Sequence, residues 1–225
     1  MKIQWYGQAS CLVTADNGTM IITDPYTPET AGYRPITDEP DVVIISSDND
    51  SFHCRADLIG GNPTVIDALK LAESGQERTE SGVTFKAIAA MEALNHAEHD
   101  PDQNGMYRFT VDGVSVGHMG DIGNALSEQH IEFFKGVDVL LALAGGHPVI
   151  ELNDLKVAID KIQPRYVIPI HFRTLVYKPR NQFWIANFLN YFDDKDVDLA
   201  CSYEVALHKE SLPETTRVMV LGHSQ

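Results

Sequence analysis

Two rhythms of apolar and polar positions divide the chain. In the N-terminal third, residues 2–6 alternate, and two further short apolar segments follow at Ser10–Thr14 and Met20–Thr23. Asp16-Asn17-Gly18 between them is a turn signal, so the pattern predicts strands joined by tight connections. Val42–Ile45 is wholly apolar and β-branched, as in a strand buried on both faces. Residues 83–88 and 106–111 are further strand candidates. Asp112-Gly113 then predicts a hairpin turn into residues 114–117.

The second half changes period. Ser127 is placed to cap a helix over 128–135 that Gly136 ends. Residues 138–144 read as a buried strand. Asn153 is placed to cap a helix over 154–162, which stops before Pro164. Tyr166–Ile170 is another buried strand and 184–191 another helix. Strands first, then helix–strand alternation, predict layered sheets covered by helices. The polar stretches 27–40 and 97–105 are loop-like and too short for domain linkers, so residues 1–225 read as a single domain.

Three polar clusters follow the carboxyl ends of apolar runs. The first is Ser46-Ser47-Asp48-Asn49-Asp50-Ser51-Phe52-His53. The second is His118-Met119-Gly120-Asp121-Ile122-Gly123, and the third is His171-Phe172-Arg173-Thr174. His96 follows residues 83–88 more loosely. Strand ends deliver side chains to one rim of a sheet, and a metal site needs carboxylates and imidazoles converging from separate segments. Each cluster also has a bland reading. A strand-end histidine is commonly a satisfied polar residue, Asp121-Ile122-Gly123 can be a turn, and Asp48 to Asp50 can bond nearby amides.

Taken together, these segments resemble the metallo-β-lactamase superfamily, in the branch of ascorbate-6-phosphate lactonase and related metal-dependent hydrolases. The opening MKIQWYGQAS and MIITDPY resemble that branch's first strands. VVIISSDNDSFH sits where the family has a strand followed by H-x-H-x-D-H, and VSVGHMGDIGNAL resembles its Gly-Asp motif. The block from LLALAGGHPVIELND to RYVIPIHFRT resembles its last third and is the most specific match. The resemblance implies an α/β (α+β) fold, a four-layer αββα sandwich of two mixed sheets. It also implies a divalent metal cofactor, Zn, Mn or Fe, as one or two ions.

Carried over position by position, the family's first metal site falls on Asp48, Asp50 and His96. The second falls on Phe52, His53 and His171, and Asp121 bridges the two. The departures are marked: two motif histidines are aspartates, and the motif aspartate is Phe52. Gln8 and Asn124 also stand where the branch often has histidine. Phe52 cannot coordinate, which leaves His53, Asp121 and His171 as a mononuclear set with open positions. The oxygen-rich first site shifts preference from Zn towards Mn, Fe, Mg or Ca. Asp121 and Asp50 are the catalytic carboxylates on this reading. His118, His147 or Asp50 would handle protons, the two histidines also reading as loop or outer-shell groups. Arg173 would clamp an anion or pair with a surface acid.

Composition narrows the partners. Lys and Arg total 17 against 32 Asp and Glu, a net charge of −15. Such a chain is unsuited to gripping a phosphate backbone or an anionic membrane, so neither nucleic acid nor membrane is expected as a partner. That also disfavours a nuclease of the same superfamily. No apolar run approaches the roughly 20 residues of a membrane helix, and the opening residues lack the core of a signal peptide. Cys11, Cys54 and Cys201 are widely spaced without a C-x-x-C, which fits a reduced, cytoplasmic setting. Cys54 reads as a small buried residue rather than a nucleophile.

The expectation is a hydrolase of a small ester, lactone or phosphoester with an atypical metal site. The partner is a small-molecule substrate, and a homo-oligomer is compatible with the sequence. The alternative is a catalytically silent protein of the same fold acting as a binding or assembly module.

Overall fold

In β1 (Lys2–Gly7), β2 (Ser10–Thr14), β3 (Met20–Thr23) and β4 (Val42–Ile45), successive side chains enter two different clusters. Val42 and Ile44 join the main core, whereas Val43 and Ile45 pack with Tyr6, Leu12, Ile22 and Tyr26 on the opposite face. This period of two is what a sheet covered on both sides requires. β5 (Thr64–Asp67) completes that edge. The computed structural model describes residues 1–49, 51–92 and 104–224.

After β5 come β6 (Arg78–Glu80), β7 (Val83–Ala90), β8 (Asn104–Val111), β9 (Val114–His118), β10 (Val139–Leu143) and β11 (Tyr166–Ile170). The short β12 (Val197–Leu199), β13 (Glu204–Ala206) and β14 (Arg217–Val220) close the chain. Among the described residues they form a six-stranded sheet, β13-β1-β2-β3-β4-β5, and an eight-stranded sheet, β12-β14-β11-β10-β9-β8-β7-β6. Both are mixed. β3, β4 and β5 are parallel, as are β9, β10 and β11, while the hairpins are antiparallel. The expected αββα sandwich is the observed architecture, with apolar side chains of both sheets meeting in one core cluster.

The helices are α1 (Pro28–Ala31), α2 (Ala68–Ser74), α3 (Glu128–Phe134), α4 (Leu152–Ile162) and α5 (Ile185–Leu189). Ser127 caps α3 as expected: its hydroxyl accepts from the His130 N–H at 3.3 Å, and the His130 ring accepts from the Ser127 N–H at 3.4 Å. Asn153 does not cap α4. The helix starts two residues earlier, after Glu151, and the Asn153 side-chain carbonyl accepts from the Tyr191 hydroxyl at 2.8 Å. The expected helix at 184–191 shrinks to α5, because Trp184 is extended.

Pro169 lies inside β11, where a missing N–H ordinarily breaks a ladder. β14 runs alongside only Tyr166 and Val167, so beyond them β11 has β10 as its ladder partner on one side. No helix among the described residues is long and apolar enough to cross a membrane.

Candidate metal centre

The parallel run of β9, β10 and β11 brings the residues after their carboxyl ends to one edge of the eight-stranded sheet. Asp121 follows β9 and His171 follows β11. His53 arrives from the other sheet, on the loop after β4. The two sheets are laced together here. The His171 N–H donates to the Gln8 carbonyl at 2.8 Å, and the Gly105 N–H donates to the Ser46 carbonyl at 2.7 Å. Asp24 accepts from the Ser46 N–H at 2.7 Å.

Gln8, Asp24 and His171 all adopt positive φ, at 50°, 37° and 54°. Each such backbone costs about 1–3 kcal/mol and persists only where the surroundings over-determine it. Three of them around one rim mark a place where side-chain direction outweighs backbone comfort.

The His53 and His171 Nε2 atoms are 3.2 Å apart. Asp121 lies 3.3 Å from His171 Nε2 through Oδ1 and 3.4 Å from His53 Nδ1 through Oδ2. Ligand atoms bound at about 2.0–2.2 Å to one ion are about 3.0–3.5 Å from each other. The two His53 contacts run through different ring nitrogens, of which one ion takes only one, so it is the residue set, with one donor atom each, that has the chemistry of a divalent-ion site. Among the described residues they are the one such group, with donor atoms within 4.8 Å of one another.

Neighbouring amides hold the set. Gln8 Nε2 and Gln182 Nε2 each lie 2.7 Å from a ring nitrogen of His171, Nε2 and Nδ1 respectively. A neutral imidazole carries one N–H, so it cannot accept from both amides. Ligation through Nε2 requires Nδ1–H, which Gln182 would accept with its amide oxygen turned to the ring. Asp121 is fixed through its backbone, whose N–H donates to the Asn104 carbonyl at 2.8 Å. Gly120, φ 62°, makes this turn: a Cβ there would meet the Asn104 oxygen at 2.3 Å.

The centre lies in a cleft of about 250 Å³. Phe52, Tyr177, Pro148 and Val149 give it apolar walls, and Glu92, Asn181 and Gln182 add polar groups. Glu92 Oε2 is buried with no hydrogen-bond partner among the described residues.

The other expected site residues go elsewhere. Asp48 is exposed and ion-paired with Lys70 at 2.8 Å, turned away from the histidine pair towards α2. Asp50 and His96 lie outside the described residues. His118 does not line the cleft. It is fully buried and stacked on Tyr107, with ring centroids 4.8 Å apart. Its Nδ1 accepts from the Gly120 N–H at 2.9 Å, so Nε2 carries the proton and donates to the Ala9 carbonyl at 2.9 Å. Burial pushes its pKa down to about 3. It braces the turn that carries Asp121.

His147 is exposed. The Arg173 guanidinium lies over the Trp184 ring at 4.6 Å. Cys54 is half-buried against the cluster around Tyr6 and Tyr26. Gln8 had a signal in the sequence, its place after Gly7 where the resembled branch often has histidine. Gln182, Asn104 and Glu92 had none, because tertiary folding alone brings them to the rim.

Residues 2–171 match the Beta-lactamase superfamily domain. A UPF0173 protein of Pyrococcus abyssi is 27% identical over 190 residues, 77% of this chain and 84% of that protein. A UPF0173 metal-dependent hydrolase of Thermoplasma acidophilum is 27% identical over 191 residues, with the same coverage. A crystal structure from Thermotoga maritima, described as a Zn-dependent hydrolase of the metallo-β-lactamase superfamily, superposes with a TM-score of 0.76 at 26% identity. It covers 98% of this chain and 97% of its own. With the domain match spanning most of the chain and the two-sheet sandwich shared with that structure, the protein belongs to the β-lactamase superfamily, in its metallo-β-lactamase fold.

Proposed function

We propose that the protein is a metal-dependent hydrolase of a small ester, lactone or phosphoester, working with one divalent ion at His53, Asp121 and His171. The carrying observation is the convergence of these donors from three separate segments in a cleft, one ligand atom from each lying within 4.8 Å of the others. The names of the T. acidophilum and T. maritima relatives point the same way. The lactonase-like refinement rests on the sequence motifs. Two imidazoles and a carboxylate suit Zn, Mn or Fe. Such an ion supplies polarisation of a carbonyl or phosphoryl oxygen and acidifies a water at neutral pH.

The chain's own residues do the rest. Gln8 and Gln182 orient His171, Asn104 and His118 brace the Asp121 turn, and Phe52 and Tyr177 keep one wall of the cleft dry. Phe52 offers no oxygen donor where the family motif has aspartate, which supports one ion rather than two.

The test is metal analysis of protein purified without added metal, followed by a screen of ester, lactone and phosphodiester substrates with Zn, Mn and Fe. Turnover that disappears in His171→Ala supports the reading. Turnover that survives this change belongs to a contaminant. Bound metal without turnover favours the second reading, a silent binding or assembly module. Asp48 favours that second reading, because its pairing with Lys70 takes an expected ligand out of the cleft.

A further inference from the structure

We propose that the cleft selects an uncharged substrate with a flat apolar part, an ester or lactone rather than a phosphorylated or carboxylated compound. This rests on the hydrolase reading above and deepens it. The starting observation is the complete lack of Lys or Arg among the described residues lining the cleft. Phosphate and carboxylate sites are ordinarily built from Arg forks, Lys or backbone amides, because a desolvated anion needs charge-assisted donors.

The cations near the cleft in sequence are spent or stand outside it. The Lys178 ammonium donates to the Glu29 carbonyl at 2.6 Å. Arg173 lies flat over Trp184. Arg180 is exposed on the rim, between Pro179 and Asn181, which line the cleft. Residue 50 and residues 93–103, outside the described set, read Asp and ALNHAEHDPDQ in the sequence. They contain four acids, two histidines and no Lys or Arg.

The charge sum then decides the substrate class. A divalent ion brings +2, and the Asp121 and Glu92 carboxylates bring −1 each. The loaded cleft is therefore near neutral. A phosphate monoester would carry up to two negative charges into it, beside the Glu92 carboxylate, with no Lys or Arg to offset them beyond the ion already balanced by Asp121 and Glu92. At an effective dielectric near 20, like charges a few ångströms apart cost a few kcal/mol, enough for more than about tenfold in affinity.

The walls complete the picture. The Phe52 and Tyr177 rings meet edge to face, with centroids 6.5 Å apart. With Pro148 and Val149 they make an apolar surface suited to a flat group. Glu92 Oε2, buried and without a partner among the described residues, is an acceptor for a substrate hydroxyl or amide N–H.

The experiment compares two stable ligands of matched shape, N-benzylacetamide and benzylphosphonate, titrated into the full-length protein with Zn²⁺ and followed by ligand-observed NMR. The expected result is that the neutral amide binds at least about tenfold tighter. Phe52→Ala should weaken the amide, and Glu92→Lys should narrow or invert the preference. Glu92→Gln gives a milder change in the same direction should the lysine variant fold poorly. Equal or tighter binding of benzylphosphonate overturns the proposal, and so does binding of neither ligand. If benzylphosphonate binds and Arg180→Ala abolishes it, the rim arginine is an anion anchor and the proposal is equally overturned. The hydrolase reading fails on different grounds, when no ester, lactone or phosphodiester is turned over. A phosphodiester as the best substrate leaves that reading standing and removes this one.

Discussion

The imidazole rings of His53 and His171 lie almost parallel, 8° between planes and 5.3 Å between centroids, with their Nε2 atoms 3.2 Å apart. Two lone pairs facing each other at this distance repel unless a proton or a cation lies between them. Asp121 sits against both rings, so the local field favours a cation. His53→Ala, Asp121→Ala and His171→Ala should each lower Zn²⁺ affinity by more than the about 10–100-fold typical of outer-shell changes. Asp48→Ala should leave affinity unchanged. Elemental analysis after dialysis and competition with a chromophoric chelator read both outcomes. Loss of metal in Asp48→Ala would place the ion elsewhere.

Gln182 should govern this affinity without touching the ion. Its side-chain amide faces His171 Nδ1 at 2.7 Å, and with the amide oxygen turned to the ring it would accept Nδ1–H and leave Nε2 available. Gln182→Leu is expected to weaken Zn²⁺ binding by about 10–100-fold. Gln182→Glu, which keeps an acceptor towards Nδ1, should retain it. Nitrogen-15 NMR of the His171 ring reports the tautomer directly. An unchanged tautomer and affinity in Gln182→Leu would show that the amide is only packing.

His118 gives the fold a pH dependence. Its folded pKa is depressed to about 3 by burial, against an ordinary value of 6.5. Between those values the unfolded chain binds the extra proton, so stability is fully present above about 6.5 and declines as pH falls towards 3. Urea denaturation across this window should show the decline. His118→Phe, which keeps a ring against Tyr107 but cannot protonate, should flatten this part of the profile. It should also lose about 1–3 kcal/mol at pH 7, from the unpaired Gly120 N–H and the lost bond to the Ala9 carbonyl, which keeps the Thr23 hydroxyl. An unchanged slope in His118→Phe would assign the acid sensitivity to other groups.

Phe52→Asp restores an oxygen donor beside His53. Asp48 is held at the surface by Lys70, so the substitution alone is expected to leave metal stoichiometry at one ion per chain. Its main effect should be a lower melting temperature, because a carboxylate replaces an aromatic wall. A stoichiometry of two by elemental analysis would show that Asp48 or its neighbours reach a second ion.

The framework of this site is legible in the sequence, and its lining is not. Val42–Ile45 and Tyr166–Ile170 are read to the residue, since a wholly apolar run between polar clusters admits few alternatives. Thr64–Asp67 and α2 escape, because the strand runs into the helix with no loop between them. Asp67 is both the last strand residue and the helix cap, accepting from the Lys70 N–H at 3.0 Å. His53, Asp121 and His171 stand out through motif position. Asp48 and His118 share that signal and still go elsewhere, one towards a lysine and the other into the core. Motif spacing specifies where a strand ends, but neighbouring charge and available volume decide which way the next side chain turns.

The three donors come from both sides of a seam, His53 from the six-stranded sheet and Asp121 and His171 from the eight-stranded one. An ion among them acts as a rivet through two plates. Sliding one sheet against the other by a single ångström would break the coordination, so ion capture and sheet alignment are a single equilibrium. Amides lacing the seam, His171 to Gln8 and Gly105 to Ser46, are the natural gauges of that coupling. Their hydrogen exchange should slow together on loading, making the centre a clamp on the architecture as much as a tool for chemistry.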